Sequence, residues 1–325
     1  MLRIVLFFLL LIGVLGANEP AQIGIEQDFR VILTVRALTL QAQGDGFEFA
    51  MDGDRVGTAY LGSEVLAFDN TSFAFALQAG LGFHTIWDNW DLNFIYTRFH
   101  RKENKGALAK KTLIPILWFQ RENLGIQDEA AKVSSRWTIK CDFVDSSLEK
   151  PYYISQKFIL TPFMGFRGGI LDQSFDVTAN IIDQENGERK SKNHSDSWYI
   201  GPRFGVMSKW LFNCGFSLIA NAGSALVYTH YKTTHHEDSI DPVMVGSTTF
   251  LQRKESASAV RNHFDLNTGF SWEHLFGDDV YATFSLYYTF QSYGAQNQMR
   301  ALSTLTSGEG NLFFQGVVFS SAFDF

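Results

Sequence analysis

The chain has almost no cysteine: Cys141 and Cys214 are the two in 325 residues. Two cannot form the dense disulfide framework that holds small secreted domains together. One bridge in an oxidising compartment and two free thiols both stay open as readings. Proline is scarce too, with six residues. Alongside 27 glycines, that suits tight turns and closely packed strands and excludes a collagen-like or low-complexity chain. Positive charge is in deficit. The net charge of −7 excludes the basic surface that nucleic acid requires. After the first fifteen residues no apolar run approaches the ~20 residues of a membrane helix, and mean hydropathy is −0.05, so a bundle of membrane helices is excluded. There is no phosphate-binding glycine loop, no H-E-x-x-H and no C-x-x-C, so no cofactor and no metal is expected. The run His235-His236-Glu237-Asp238 offers metal-ligand types, but adjacent residues on a loop rarely converge on one ion.

What is present points to export. Arg3 supplies a positive n-region, Ile4 to Leu15 is uncharged and almost wholly apolar, and Val14-Leu15-Gly16 suits signal peptidase. This predicts a cleaved signal peptide over 1–16, followed by one domain over 17–325. No cysteine follows the cleavage point, which argues against a lipid-anchored protein.

The exported part is rich in aromatics, with 31 Phe and an aromatic share of 15%. Low hydropathy with many aromatics is explained if only alternate residues meet lipid. Alternation is indeed what repeats. Val280, Ala282, Phe284, Leu286, Tyr288 and Phe290 are apolar or aromatic, while Tyr281, Thr283, Ser285, Tyr287 and Thr289 between them carry hydroxyls. Phe264, Leu266, Phe270 and Trp272 alternate in the same way with polar neighbours. Period two marks strands with one greasy and one wet face. Val317, Phe319, Phe323 and the terminal Phe325 share a face. A terminal aromatic after alternating apolar residues resembles the signal read by the bacterial outer-membrane insertion machinery. Phe319, Phe323 and Phe325 are therefore the expected insertion signal.

Alternation predicts ten strands, within a range of eight to twelve, near 29–50, 61–85, 90–100, 135–146, 157–175, 196–207, 212–231, 259–272, 280–292 and 311–325. Asp69-Asn70 interrupts the second, which hides either a bulge or a turn. The first two segments are joined by 51–60. Long polar links at 101–134, 176–195, 232–258 and 293–310 then alternate with short ones at 86–89, 147–156, 208–211 and 273–279. Short periplasmic turns, longer outer loops and an even strand count are features of outer-membrane barrels. Every backbone amide in a bilayer must be paired within the protein, so a spanning sheet has to close. The expected fold is all-β: a transmembrane, antiparallel, up-and-down β-barrel in the outer membrane. Trp87, Trp90, Trp198 and Trp210 fall near the expected strand ends, where aromatic girdles sit.

Three stretches carry a family resemblance. They are AGLGFHTIWDNWDLNFIYTRFH at 79–100, YISQKFILTPFMGFRGGILDQ at 153–173, and WYIGPRFG at 198–205 followed by CGFSLIANAGSALVY. In this order and spacing, with the terminal FDF, they resemble the Legionella-type major outer membrane protein family, which has relatives in environmental chlamydiae. The resemblance covers most of the exported chain. It implies a pore-forming outer-membrane protein and carries over no catalytic residues.

Lumen charge gives the site expectation. Arg30, Arg36, Arg136, Lys140, Arg167, Arg203 and Arg261 are assigned to the inward phase, with Asp91, Asp142, Asp265 and His263. An excess of arginine would favour anions in an open lumen. The alternative is an internal ion-pair network that plugs a narrow barrel. His263 and Asp265, placed near the outer rim, also resemble part of an outer-membrane aspartyl-type protease. That chemistry requires an opposing carboxylate pair, and Asp91, Asp142 and Asp145 are expected too far toward the periplasmic ends. The expected function is passive passage of small hydrophilic solutes or ions, together with a structural share in the envelope and no enzyme chemistry. Its alternatives are a closed-lumen surface adhesin or structural barrel, and a barrel hydrolase. The implied partners are outer-membrane lipid, the insertion machinery and small hydrophilic solutes. Further copies of the chain and a host-surface ligand for the loops stay open.

Overall fold

A computed structural model describes residues 29–56, 59–68, 71–85, 90–116, 129–182, 187–240, 247–277, 280–299, 302 and 309–325. The expected signal peptide and Trp87 lie outside them. The strands are β1 (Arg30–Gly44), β2 (Glu48–Val56), β3 (Ala59–Ala67), β4 (Ala74–His84), β5 (Asp91–Pro115), β6 (Ala130–Glu149) and β7 (Tyr152–Ser155). After these come β8 (Phe158–Ile181), β9 (Glu188–Leu211), β10 (Phe216–Ile240), β11 (Ser247–Phe276), β12 (Val280–Asn297) and β13 (Gly310–Asp324).

Ten of these strands form the wall. β1, β4, β5, β6, β8, β9, β10, β11, β12 and β13 pair in that order, all antiparallel, and β13 returns to β1. Closure leaves no open edge in the wall. The closing seam continues to the last residue, where Phe325 and Val31 exchange two backbone hydrogen bonds of 3.1 and 3.2 Å. Directly paired residues followed from Arg36 through β4 lead to Thr229 on β10. Followed through β13, they lead to Ser217 on the same strand, twelve residues away. This stagger tilts the strands roughly 40° from the barrel axis.

Along each wall strand the side chains alternate between two environments. Leu33, Val35, Leu77, Phe94, Met164, Phe166, Ile200, Phe204, Leu266, Phe270, Leu286 and Val317 point outward and are exposed. They form the lipid-facing belt. At the end holding the start of β1, the C-terminus and the short turns, Trp210 packs on Phe158 and Trp272 on Phe284, with Phe323 beside Phe284. Trp198 and Tyr228 mark the other boundary. Trp198 lies inside β9 rather than at its end, because the strand continues ten residues beyond it.

That continuation corrects the expected loops. Much of 101–134, 176–195 and 232–258 is strand: β5 continues to Pro115, β6 starts at Ala130, β10 continues to Ile240 and β11 starts at Ser247. A tilted strand needs ~9–11 residues to span a bilayer, and β8 has 24. The excess projects outward as a wall in water. Its outward face is polar, so the hydrophobic alternation that reveals a strand in lipid is missing there.

The first two expected segments are four strands. The chain leaves β1 through a turn at which Gly46 has φ 84°, a left-handed conformation that suits glycine. It then forms the β2–β3 hairpin. β2 pairs over four residues with the outer end of β5, and the hairpin brings Phe47, Phe49 and Phe68 into the interior. Cys141 is buried and Cys214 is exposed in the β9–β10 turn, and both are free thiols.

Candidate functional site in the barrel lumen

β6, β8, β9 and β11 each project a charged residue inward at one layer of the lumen. Arg167 on β8 faces Asp145 on β6 across the ladder. Its Nε donates to Oδ1 at 2.6 Å and its Nη2 to Oδ2 at 2.8 Å. The same guanidinium reaches Asp265 on β11 at 3.2 Å. Arg203 on β9 donates to the other Asp265 oxygen at 2.9 Å. Two arginines thus face two aspartates. Gly223 on β10 makes room for them: a Cβ there would lie 2.7 Å from Asp265 Oδ2 and 3.1 Å from Arg203 Nη2.

Aromatic rings enclose the layer. Arg167 lies over the rings of Phe143 and Tyr293 at 5.3 and 6.0 Å, and Arg203 over Phe163 at 4.6 Å. His263 packs edge-on to Tyr199 at 4.8 Å and against Tyr293 at 4.4 Å. Its Nε2 accepts from the Gln296 amide at 3.0 Å. Arg167 is 1% exposed, Asp265 3% and His263 0%. Charges so far from water persist only when paired, and the bidentate geometry meets that condition.

A second closure lies further out. Eight residues along β6 and β8 from Asp145 and Arg167 are Trp137 and Phe175. Phe47 packs on them at 4.3 and 5.2 Å, and Phe68 at 6.1 and 5.8 Å. The hairpin is tied down by Ile116 N–H to Phe49 O at 3.0 Å and by Lys105 Nζ to Ala67 O at 2.7 Å. The outer end of β12, with Met299 and Leu302 after it, also packs inward. Gln173 donates to Gln296 O at 3.1 Å and Arg253 to Leu302 O at 3.0 Å, with Met299 and Leu302 buried.

On the inward side β1, β4, β5 and β13 are hydrophilic at one register. Arg36 donates to Ser320 at 3.3 Å and to Gln78 at 3.4 Å, and Gln78 donates to Thr97 at 2.9 Å.

The expected site residues divide accordingly. Arg167, Arg203, His263 and Asp265 meet in one layer. Arg261 also points inward but lies apart, donating to Glu309 at 2.6 Å. Arg136, Lys140 and Asp142 are corrected: they point outward. Lys140 binds Asp172 at 3.1 Å and Asp142 accepts from Tyr96 at 2.7 Å. The residues of β6 that point inward include Trp137, Ile139, Cys141 and Phe143, on the same phase as Asp145. The expected excess of lumen cations shrinks with this reversal.

His263 is corrected as well, since it lies sixteen residues inside β11 rather than at the outer rim. Asp145 does oppose Asp265, contrary to the expectation that it lies too far toward the periplasm. Arg167 occupies the space between them, so they are not a water-activating carboxylate pair. Sequence reading placed Asp145 too far toward the periplasm and missed Tyr199, Tyr293 and the hairpin phenylalanines. Asp145 shares the period-two phase of Trp137 and Phe143, a row that by its pattern alone reads as lipid-facing. In the run 235–238, His235 and Glu237 point inward while His236 and Asp238 point outward. The two pairs are closed at 2.7 and 2.8 Å, so the four do not converge.

A closed antiparallel wall, an apolar outer belt and aromatic girdles define an outer-membrane β-barrel. The chain belongs to the family of the Legionella pneumophila major outer membrane protein precursor, whose model matches residues 27–325. It resides in the outer membrane. No curated protein matches the sequence. Among solved structures it is similar to the outer membrane protease OmpT of Escherichia coli, with 10% identity, 92% of this chain and 98% of that chain covered, and a TM-score of 0.41. A Pseudomonas aeruginosa FadL homologue shares 9% identity over 95% and 92% of the chains, with a TM-score of 0.26.

Proposed function

We propose that this barrel is a gated, porin-like channel for small hydrophilic solutes, closed in the conformation described. The observation that supports this is the difference in kind between its two closures. The outer one is a hairpin inserted between consecutive wall strands, with Phe47 and Phe68 packed on Trp137 and Phe175 and Phe49 on Phe68. Beyond it the lumen carries charged and hydroxyl side chains, which suit water and solutes. At the charged layer two cations balance two anions, so passage there selects by size more than by sign.

A specific observation favours the second reading, a structural or surface-presenting barrel with a sealed lumen. The Arg167 layer is built from wall strands alone, and removal of the hairpin does not dismantle it. Planar-bilayer conductance decides. The wild-type protein should be silent or open rarely, and a Phe47→Ala/Phe49→Ala/Phe68→Ala variant should open often. A folded triple variant that stays silent would sink the channel reading and leave the structural one.

A further inference from the structure

Along the strands the outward face is uneven in charge. On the arc formed by β12, β13, β1 and β4 the outward side chains include Tyr288, Phe290, Gln315, Gln41, Phe75 and Leu77, and none is Lys or Arg. On β5 and β6 the same face carries Arg98, His100 and Lys102, with Arg136 and Lys140 beside them, all exposed. The ladder places His100 opposite Lys140 and Arg136 opposite Asn104, with Lys102 between them.

Three of these cations have no carboxylate within ion-pair distance among the described residues. Asp142 faces Arg98 across the ladder, but its oxygens accept from Tyr96 at 2.7 Å and from His100 at 2.7 Å. Arg98 is left with a 3.5 Å contact to His100. Arg136 donates to the neutral Asn104 at 3.1 Å, while Asp176 faces it from β8 without closing a pair. Lys102 is exposed beside them. By contrast, the neighbouring cations are paired: Lys140 with Asp172 and Lys192 with Asp238. Tyr96 and Phe94, immediately below on β5, belong to the lipid belt.

We infer that Arg98, Lys102 and Arg136, spaced along β5 and its β6 neighbour, form a docking stripe for the phosphate groups of anionic outer-leaflet lipid. Cations that continue the outward row of Phe94 and Tyr96 follow directly on the lipid belt, where headgroup phosphate lies, whereas cations on a loop would meet bulk solvent. The acyl chains would lie along Phe94 and Tyr96. The site stands independently of the channel reading, because all three side chains point away from the lumen.

The test uses the full-length barrel refolded in neutral detergent. Phosphatidylglycerol, phosphatidylcholine and inorganic phosphate serve as probes, and retained lipid is read by native mass spectrometry. Wild type should retain phosphatidylglycerol over phosphatidylcholine, and inorganic phosphate at equal concentration should not displace it. Each cation removed should lower retention about fivefold, so R98Q/K102Q/R136Q should lose the preference. A control, K232Q/K254Q, alters outward cations on β10 and β11 and should keep it. Heat-modifiable migration checks that each variant is folded. Equal retention of the two lipids, equal loss in the control, or displacement by inorganic phosphate would each overturn the site.

Discussion

Arg167 grips Asp145 through two parallel hydrogen bonds of 2.6 and 2.8 Å, inside a barrel wall where neither residue meets bulk water. The pair joins adjacent strands, and the further contact to Asp265 extends it across the lumen. Removal of the cation leaves Asp145 buried and uncompensated. Arg167→Met should cost roughly 3–5 kcal/mol of stability. Addition of Asp145→Leu should restore much of it, since an apolar pair replaces a lone charge. Urea unfolding midpoints in lipid check both. A loss below ~1 kcal/mol for the single variant would mean that water reaches the pair.

Gly223 yields a second prediction. Its missing side chain leaves the space occupied by the Asp265 carboxylate and the Arg203 guanidinium. Gly223→Val should push them apart and cost about 1–3 kcal/mol through overpacking. Unfolding midpoints would record the loss, and an unchanged midpoint would contradict the packing described here.

Facing on β12 can be tested by charge insertion. Leu286 is exposed to lipid, and Ser285 lies inward between Ser271 and Ser320 on the neighbouring strands. Leu286→Arg should cost ~2–4 kcal/mol near the bilayer midplane. Ser285→Arg should cost less, because the lumen side offers water and hydrogen-bond partners. Equal losses at the two positions would reverse the assigned phase.

The C-terminal seam gives a prediction about assembly. Phe325 bonds to Val31 through both backbone groups, and Phe319 and Phe323 lie on the lipid side. Deletion of Phe325, or Phe323→Asp with Phe325→Asp, should leave the protein in the periplasm, where it is degraded. Cell fractionation and heat-modifiable migration measure this. Normal insertion would show that the terminal aromatics are dispensable.

The sequence by itself determined the closed, antiparallel wall. Phe284, Leu286 and Tyr288 must meet lipid while Thr283 and Ser285 do not, and a spanning sheet cannot leave amides unpaired. Period two, the short turns and the terminal aromatic follow from that requirement, and ten wall strands were countable from them. The inward phase of Arg167, Arg203, His263 and Asp265 was legible as well, because their strand neighbours are lipid-facing apolar residues. Only the tertiary structure decided the face of β6. Trp137, Ile139, Cys141 and Phe143 alternate as a lipid-facing row would, yet they point inward, where Trp137 meets Phe47 and Phe68 beside the β2–β3 hairpin and Phe143 meets Tyr293 and Arg167. Period two shows that a strand has two different faces. Where the apolar row is the inward one, as on β6, which face meets lipid depends on what the rest of the chain places inside.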